Sequence, residues 1–235
     1  MKKFIIKLLL IVLTVVLVAT ILNVSVITKQ GVNYKVREIR MPLYLKLLDY
    51  VDRHYNYKNL VVNILGDTRD DGAKAIKILN WVNANVRKNP AELPVIDDHP
   101  LNILIRGYGE RDQFEDIFTI LCTYAKMKAF YGMFRNNSGG YYFVSFVKVN
   151  GRWCPISAYA RTYAEWNKRI ASVDDIMGNK ELLGPFANKI ENFESDAFLN
   201  EITKIDFEQT SMRSSGQAPF RRIMNLLEAK MKKGR

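Results

Sequence analysis

The chain has 235 residues, of which 48% are hydrophobic, 11% aromatic and 25% charged, a balance that excludes global disorder and leaves room for one folded domain of ordinary size. Its formal charge of +11 suits anionic partners such as lipid headgroups, acidic glycans or an acidic protein face. Only Cys122 and Cys154 are available as thiols, and no zinc-ligand spacing, phosphate-binding loop or serine-centred elbow appears, so no metal or cofactor is expected.

Residues 8–28 carry no charge and have about the ~20-residue length needed to cross a bilayer. A cleavable signal usually has a shorter apolar core closed by a small-residue site, which this stretch lacks. The expectation is a membrane anchor over residues 1–28, with Lys2, Lys3 and Lys7 on the cytoplasmic side and the rest of the chain beyond the membrane. Lys29, Lys35, Arg37 and Arg40 on the far flank weigh against that orientation. A domain placed beyond an anchor rarely meets nucleic acid, so none is expected as a partner.

Residues 29–66 follow as a basic connector ending at Pro42, with a short entry helix over residues 43–50. Tyr50, Tyr55 and Tyr57 suit a membrane interface or ordinary packing. The folded domain is expected over residues 67–210. Thr68 and Asp71 read as a helix start, and Ala75, Ile78, Leu79, Val82 and Val86 carry a helical stripe towards Pro90, with Trp81 in the core. A turn-rich loop then leads through residues 101–105, a short helix or extended piece, to Gly107 and Gly109.

Phe114, Ile117, Phe118, Leu121 and Ala125 fall on one face of the next helix. Its start offers free N–H groups and a positive dipole end, where an anion or a thiolate is stabilised. Asp112, Glu115 and Asp116 are expected to complement that dipole. Residues 129–134 read as a strand and residues 141–149 as a central strand apolar on both faces. Asn150-Gly151 is a hairpin turn signal, and residues 152–157 return as the next strand. Tyr159, Tyr163 and Trp166 line a groove for sugar or peptide, or else pack in the core. Short helices and loops are expected over residues 171–210. Residues 211–235 read as a basic amphipathic helix whose Phe220, Arg221, Arg222, Lys232 and Lys233 touch a membrane or a partner, with packing on its own domain as the other option.

From about residue 70 to residue 157 the chain resembles the transglutaminase-like superfamily, relatives of papain-type cysteine hydrolases. The segment AIKILNWVNANVRKNP is similar to the helix that precedes the catalytic one. Gly109, Phe114, the stripe of Ile117, Phe118 and Leu121, and Ala129 follow the family's pattern of Gly-x-Cys-x-Asp-aromatic-Ala, apolar helix and strand start. Gly151 and Trp153 match its later Gly-x-Trp turn. The resemblance implies an α+β domain with a central helix packed on an antiparallel sheet, Cys122 on that helix and Cys154 on the sheet face turned away from it. It also implies where a Cys-His-Asp triad belongs: the cysteine's place is taken by Arg111, the histidine's by Tyr142 (or Tyr141 if the loop slips by one) and the aspartate's by Ser157.

Acyl transfer by a thiolate needs an imidazole within hydrogen-bond reach and a third group to orient it, and these three residues supply none of those roles. The functional expectation is a non-catalytic, single-pass membrane protein, a binding or scaffolding subunit of a cell-envelope assembly. Surface-polysaccharide machinery and a membrane-protein partner enter by analogy with related domains. The competing class is a cysteine-type hydrolase or acyl transferase with relocated catalytic residues. Arg111 sits at the positive end of a helix, so either Asp112 and Glu115 offset it or Arg111, with Arg106 and Tyr142, holds an anionic group such as an acidic glycan or lipid headgroup in the cleft.

Overall fold

A computed structural model describes residues 2–32, 35–90, 92–93 and 97–208. The chain is of mixed α+β class and divides into two compact units, one ending at Tyr55 and the other beginning at Asn56. The tail expected to form the amphipathic helix, with Phe220, Arg221, Arg222, Lys232 and Lys233, lies outside the described residues.

The first unit opens with helix α1 (Lys2–Leu22), of which Lys3–Leu22 is long and apolar enough to cross a membrane. Its hydroxyls are satisfied internally: Thr14 and Thr20 donate to the carbonyls of Leu10 and Val16, both at 2.8 Å. The helix ends sooner than the uncharged run does. The β-branched residues Val24, Val26, Ile27 and Thr28 favour extended backbone, and strand β1 (Ser25–Val32) pairs antiparallel with β2 (Lys35–Pro42) from Ser25 opposite Pro42 to Val32 opposite Lys35. The basic connector is therefore a hairpin, whose alternation is masked in the sequence by Arg37, Glu38 and Arg40. At its base the Leu43 amide donates to the Val24 carbonyl at 2.9 Å.

Helix α2 (Leu43–Leu65) starts where the entry helix was expected but continues fifteen residues past residue 50. No glycine or proline interrupts it until Gly66, at φ 53°. An i,i+4 pair, Asp49–Arg53 at 2.6 Å, supports the turn in between. From Asn56 onward the helix belongs to the second unit, where Tyr57, Val61 and Leu65 at four-residue spacing enter the core.

Helix α3 (Asp71–Asn85) is capped by Asp70, whose carboxylate accepts from the Ala73 amide at 2.8 Å, in place of the Thr68 and Asp71 start expected. Its stripe of Ala75, Ile78, Leu79 and Val82, continued by Val86, is buried as anticipated. Helix α4 (Pro100–Arg106) ends at Gly107, at φ 72°, a left-handed position that suits glycine. A short parallel bridge between β3 (Arg87–Lys88) and β4 (Tyr108–Gly109) ties the end of α3 to the start of helix α5 (Arg111–Tyr124).

The main sheet has the order β5 (Ala129–Arg135), β6 (Tyr141–Val149), β7 (Arg152–Ser157) and β8 (Thr162–Tyr163), antiparallel throughout. Asn150 and Gly151, at φ 48° and 83°, form the tight turn between β6 and β7 that their sequence signals. On one face lies α5 with α3 and α4; every side chain from Gln113 to Thr123 is buried. The other face presents Phe130, Phe134, Tyr142, Val144, Phe146 and Trp153 to a second layer made by α6 (Val173–Gly178), α7 (Leu183–Ala187) and α8 (Ser195–Ile202). The second unit is thus helices, sheet, helices, with a core on each side of the sheet.

That register corrects the placement of Cys154. Val149 pairs with Arg152, so Val147 and Cys154 stand opposite each other and both belong to the core under α5. Cys154 therefore shares the helix side with Cys122 and does not face away; both thiols are free and buried.

Candidate functional site

The site forms where α5 begins. The Arg87 amide donates to the Gly107 carbonyl at 2.9 Å and the Asn89 amide to the Gly109 carbonyl at 3.0 Å, which fixes Lys88 beside the helix start. A Cβ at position 109 would come within 3.1 Å of the Ile103 and Gln113 side chains, which would have to give by a few tenths of an ångström to admit it. Arg106, expected to join Arg111 in the cleft, is used below the helix end. Its guanidinium donates to the carbonyls of Asp97 (2.6 Å) and Tyr108 (2.9 Å) and to the Gln113 side chain (2.7 Å). Gln113 in turn accepts from the Glu110 amide at 3.0 Å and donates to Asp98 at 2.7 Å.

Arg111, Tyr142 and Ser157 line one cavity of about 90 Å³, together with Lys88, Phe143, Tyr159, Ala160, Lys189, Ile190 and Glu191. Arg106 is not among the lining residues. Arg111 occupies the first turn of α5, where a cation opposes the helix dipole. Its partner is Glu191, at 2.6 Å, rather than Asp112 or Glu115. Its guanidinium also lies 5.8 Å from the centre of the Tyr159 ring, over which the Lys88 ammonium sits at 4.2 Å. Tyr159 is held edge-on to Phe114, with ring centres 5.4 Å apart. Of the three aromatics expected in a groove, Tyr159 belongs to this cavity and Tyr163 and Trp166 to a neighbouring one.

Tyr142 is 1% exposed, stacked on Phe134, and its hydroxyl meets no hydrogen-bond partner. Burial first, then the charges of Glu194 and Glu201, pushes its phenol above the ordinary range, so it remains a proton donor at neutral pH. The cavity therefore combines three cations and one carboxylate. That set suits an anionic group, and neither a thiol nor an imidazole is among the lining residues.

A residue assigned from sequence to the helix dipole has another role. Glu115 is fully buried one turn into α5 and accepts from the Ser145 hydroxyl (2.6 Å), the Ser157 hydroxyl (3.2 Å) and the Tyr159 amide (3.0 Å). Burial pushes its carboxyl up to about 7, against the lowering effect of those hydrogen bonds. Ser157 also accepts from the Ala160 amide at 3.2 Å. Glu115 thus ties α5 to β6, β7 and the Tyr159 wall from beneath the cavity. No sequence signal sets it apart from the acids beside it; its role follows from the burial of α5, since a helix enclosed on all sides takes any carboxylate in it out of water.

The thiols and imidazoles are engaged elsewhere. Burial raises the Cys122 thiol well above its ordinary range and pushes that of Cys154 up to about 11. His99 caps α4, its Nδ1 accepting from the Leu101 amide at 3.3 Å. Among the described residues no three His, Cys, Asp or Glu side chains converge as metal ligands.

No protein-family model matches the chain, and no curated protein is similar to it at significance. Among solved structures, a candidate cysteine protease from Cytophaga hutchinsonii is 15% identical, with 52% of this chain and 44% of that one covered and a TM-score of 0.41. A candidate protease from Parabacteroides distasonis ATCC 8503 is 11% identical, covering 56% and 36%, at 0.37. A protein described as a TGase is 10% identical, covering 62% and 46%, at 0.38. These are likenesses of fold. The chain spans less than half the length of each of these structures.

Proposed function

We propose that this protein is a membrane-anchored, non-catalytic binding subunit that holds an anionic group in the cleft where a transglutaminase-like enzyme carries its triad. One observation carries the reading: Arg111, Tyr142 and Ser157, the places of the three missing catalytic residues, line a single cavity with Lys88 and Lys189. In place of a thiol and an imidazole the cavity presents cations. Helix α1 fits the role of anchor by length and composition. A place on the non-cytoplasmic side, within a cell-envelope assembly and beside a membrane-protein partner, accords with the basic amino terminus and the anionic character of envelope ligands. The rival reading, a cysteine hydrolase with relocated residues, draws no support from two buried thiols whose ionisation burial disfavours.

The test is calorimetric titration of the detergent-solubilised full chain with glucuronate and with inorganic phosphate. Binding by the parent chain, weakened at least ~10-fold in Arg111→Ala with the fold intact, is expected for a charge-assisted contact. Equal binding by parent and variant overturns the proposal.

A further inference from the structure

A second depression adjoins the cavity. It is a groove of about 750 Å³ lined by Arg161, Thr162, Tyr163, Glu165, Trp166, Asn179, Glu181, Leu182, Pro185 and Lys189. That volume falls in the ~300–1,000 Å³ range of sites that take small molecules. Two stretches of chain build both depressions. Within residues 159–163, Tyr159 and Ala160 face the cavity and Arg161, Thr162 and Tyr163 the groove. Within residues 181–191, Glu181, Leu182 and Pro185 line the groove, Ile190 and Glu191 the cavity, and Lys189 both.

The two differ in chemistry. The cavity has an excess of positive charge, with Lys88, Arg111 and Lys189 against Glu191. The groove balances Arg161 and Lys189 with Glu165 and Glu181, adds the polar Thr162 and Asn179, and carries two aromatic rings. One of these, Trp166, is 38% exposed. It is held on a two-strand hairpin, β9 (Glu165–Trp166) paired with β10 (Arg169–Ile170). The turn residues Asn167 and Lys168 both have positive φ, at 51° and 61°. The hairpin is fastened by two hydrogen bonds from Arg169 to Asp175, at 2.6 and 2.9 Å. A large ring left in water on a braced support, in a groove whose charges balance, is suited to the apolar face and hydroxyl rim of a sugar. A polyanion is disfavoured there by the two glutamates, while a lone acidic group is favoured next door.

We infer that the ligand is an oligosaccharide with an acidic terminal unit, its neutral sugars lying along the groove on Trp166 and Tyr163 and its acid group entering the cavity at Arg111. This rests on the anion-binding reading of the cavity and adds the class of molecule that bears the anion. Carboxylate and phosphate share the required charge, so the source of the acid group is set by experiment.

The probes are neutral tetrasaccharides capped with glucuronate, galacturonate or phosphate, and the corresponding acidic monosaccharides, titrated into the solubilised full chain. At least one capped tetrasaccharide is expected to bind about tenfold or more tighter than its monosaccharide, as an added aromatic contact gives. Trp166→Ala is expected to erase that gain while leaving monosaccharide binding unchanged, and Trp166→Phe to keep part of it. Arg111→Ala is expected to weaken both. If no capped chain gains over its monosaccharide, or if Trp166→Ala keeps the gain, the saccharide assignment is overturned while anion binding stands. If Arg111→Ala alters neither, the cavity reading falls as well.

Discussion

The Arg111 guanidinium and the Glu191 carboxylate meet at 2.6 Å across eighty residues of chain, at the mouth of the cavity. The pair is open to solvent, with 35% and 68% of the two side chains exposed, so its worth to stability is small, within about 1 kcal/mol. Its effect on binding is larger, because Glu191 competes with any incoming anion for the same cation. Glu191→Gln is therefore expected to raise the affinity for glucuronate or phosphate severalfold at low salt while shifting the melting temperature little. Calorimetry and thermal unfolding of the same preparation check both parts.

The Tyr142 hydroxyl gives a second, separable outcome. Leaving a buried donor without a partner costs roughly 1–3 kcal/mol, so Tyr142→Phe, which keeps the ring stacked on Phe134, is expected to leave the unliganded chain as stable as the parent or more so. The same change is expected to weaken anion binding, since Tyr142 lines the cavity and its hydroxyl makes no other hydrogen bond. Denaturant titration with and without ligand measures the two effects, which have opposite signs.

Glu115 makes stability depend on pH in an unusual window. A carboxyl raised from 4.5 to about 7 in the folded state contributes its stabilisation fully below pH 4.5 and loses it as pH climbs through 7. The chain is expected to be less stable at pH 8 than at pH 5 on this account, by on the order of 3 kcal/mol. Glu115→Gln, which keeps an acceptor for Ser145, Ser157 and Tyr159, is expected to flatten that slope. Urea unfolding across pH 5–8 decides it; a parent chain with a flat profile contradicts the assignment.

The opposite sign holds at Asp175. Hydrogen bonds from Arg169, and then from Ser172, hold its carboxyl well below the usual range against the cost of burial. Its contribution is present above pH 3.8 and lost as pH falls below it. Asp175→Asn is expected to cost roughly 1–3 kcal/mol at pH 7, the worth of a charge-assisted hydrogen bond, with parent and variant converging in acid. Because this carboxylate braces the hairpin carrying Trp166, the variant is also expected to bind capped tetrasaccharides less tightly than the parent.

Helix α1 sets a prediction for whole cells. A span of 20 residues rises about 30 Å, the thickness of a bilayer's hydrocarbon core. The chain is expected to stay in the membrane pellet after alkaline carbonate washing with its amino-terminal peptide detectable by mass spectrometry. A product starting beyond residue 22 would assign the helix to a cleaved signal.

What could be read from the sequence followed from periodicity and turn chemistry. The stripe of Phe114, Ile117, Phe118 and Leu121, the Asn150-Gly151 turn and the strands on either side are local patterns, and each is found where those patterns put it. The places of Arg111, Tyr142 and Ser157 came from motif spacing, and the fold brings them to one cavity. Partners distant along the chain left no such trace. Glu191 beside Arg111, and Glu115 beneath Ser145 and Ser157, depend on how three layers close around the sheet. Cys154 went to the unexpected face because a strand's side assignment rests on register, and a shift of one residue reverses it. The first hairpin was missed because its charged residues hide the two-residue period on which strand recognition relies.

The bond between the Leu43 amide and the Val24 carbonyl makes the intervening ribbon a closed detour. The chain returns to its point of departure, so α2 sets out from the place where α1 stops, whatever the ribbon's length. Paired residues can be gained or lost along the two strands without moving either helix, so the ribbon's reach varies while the junction stays fixed.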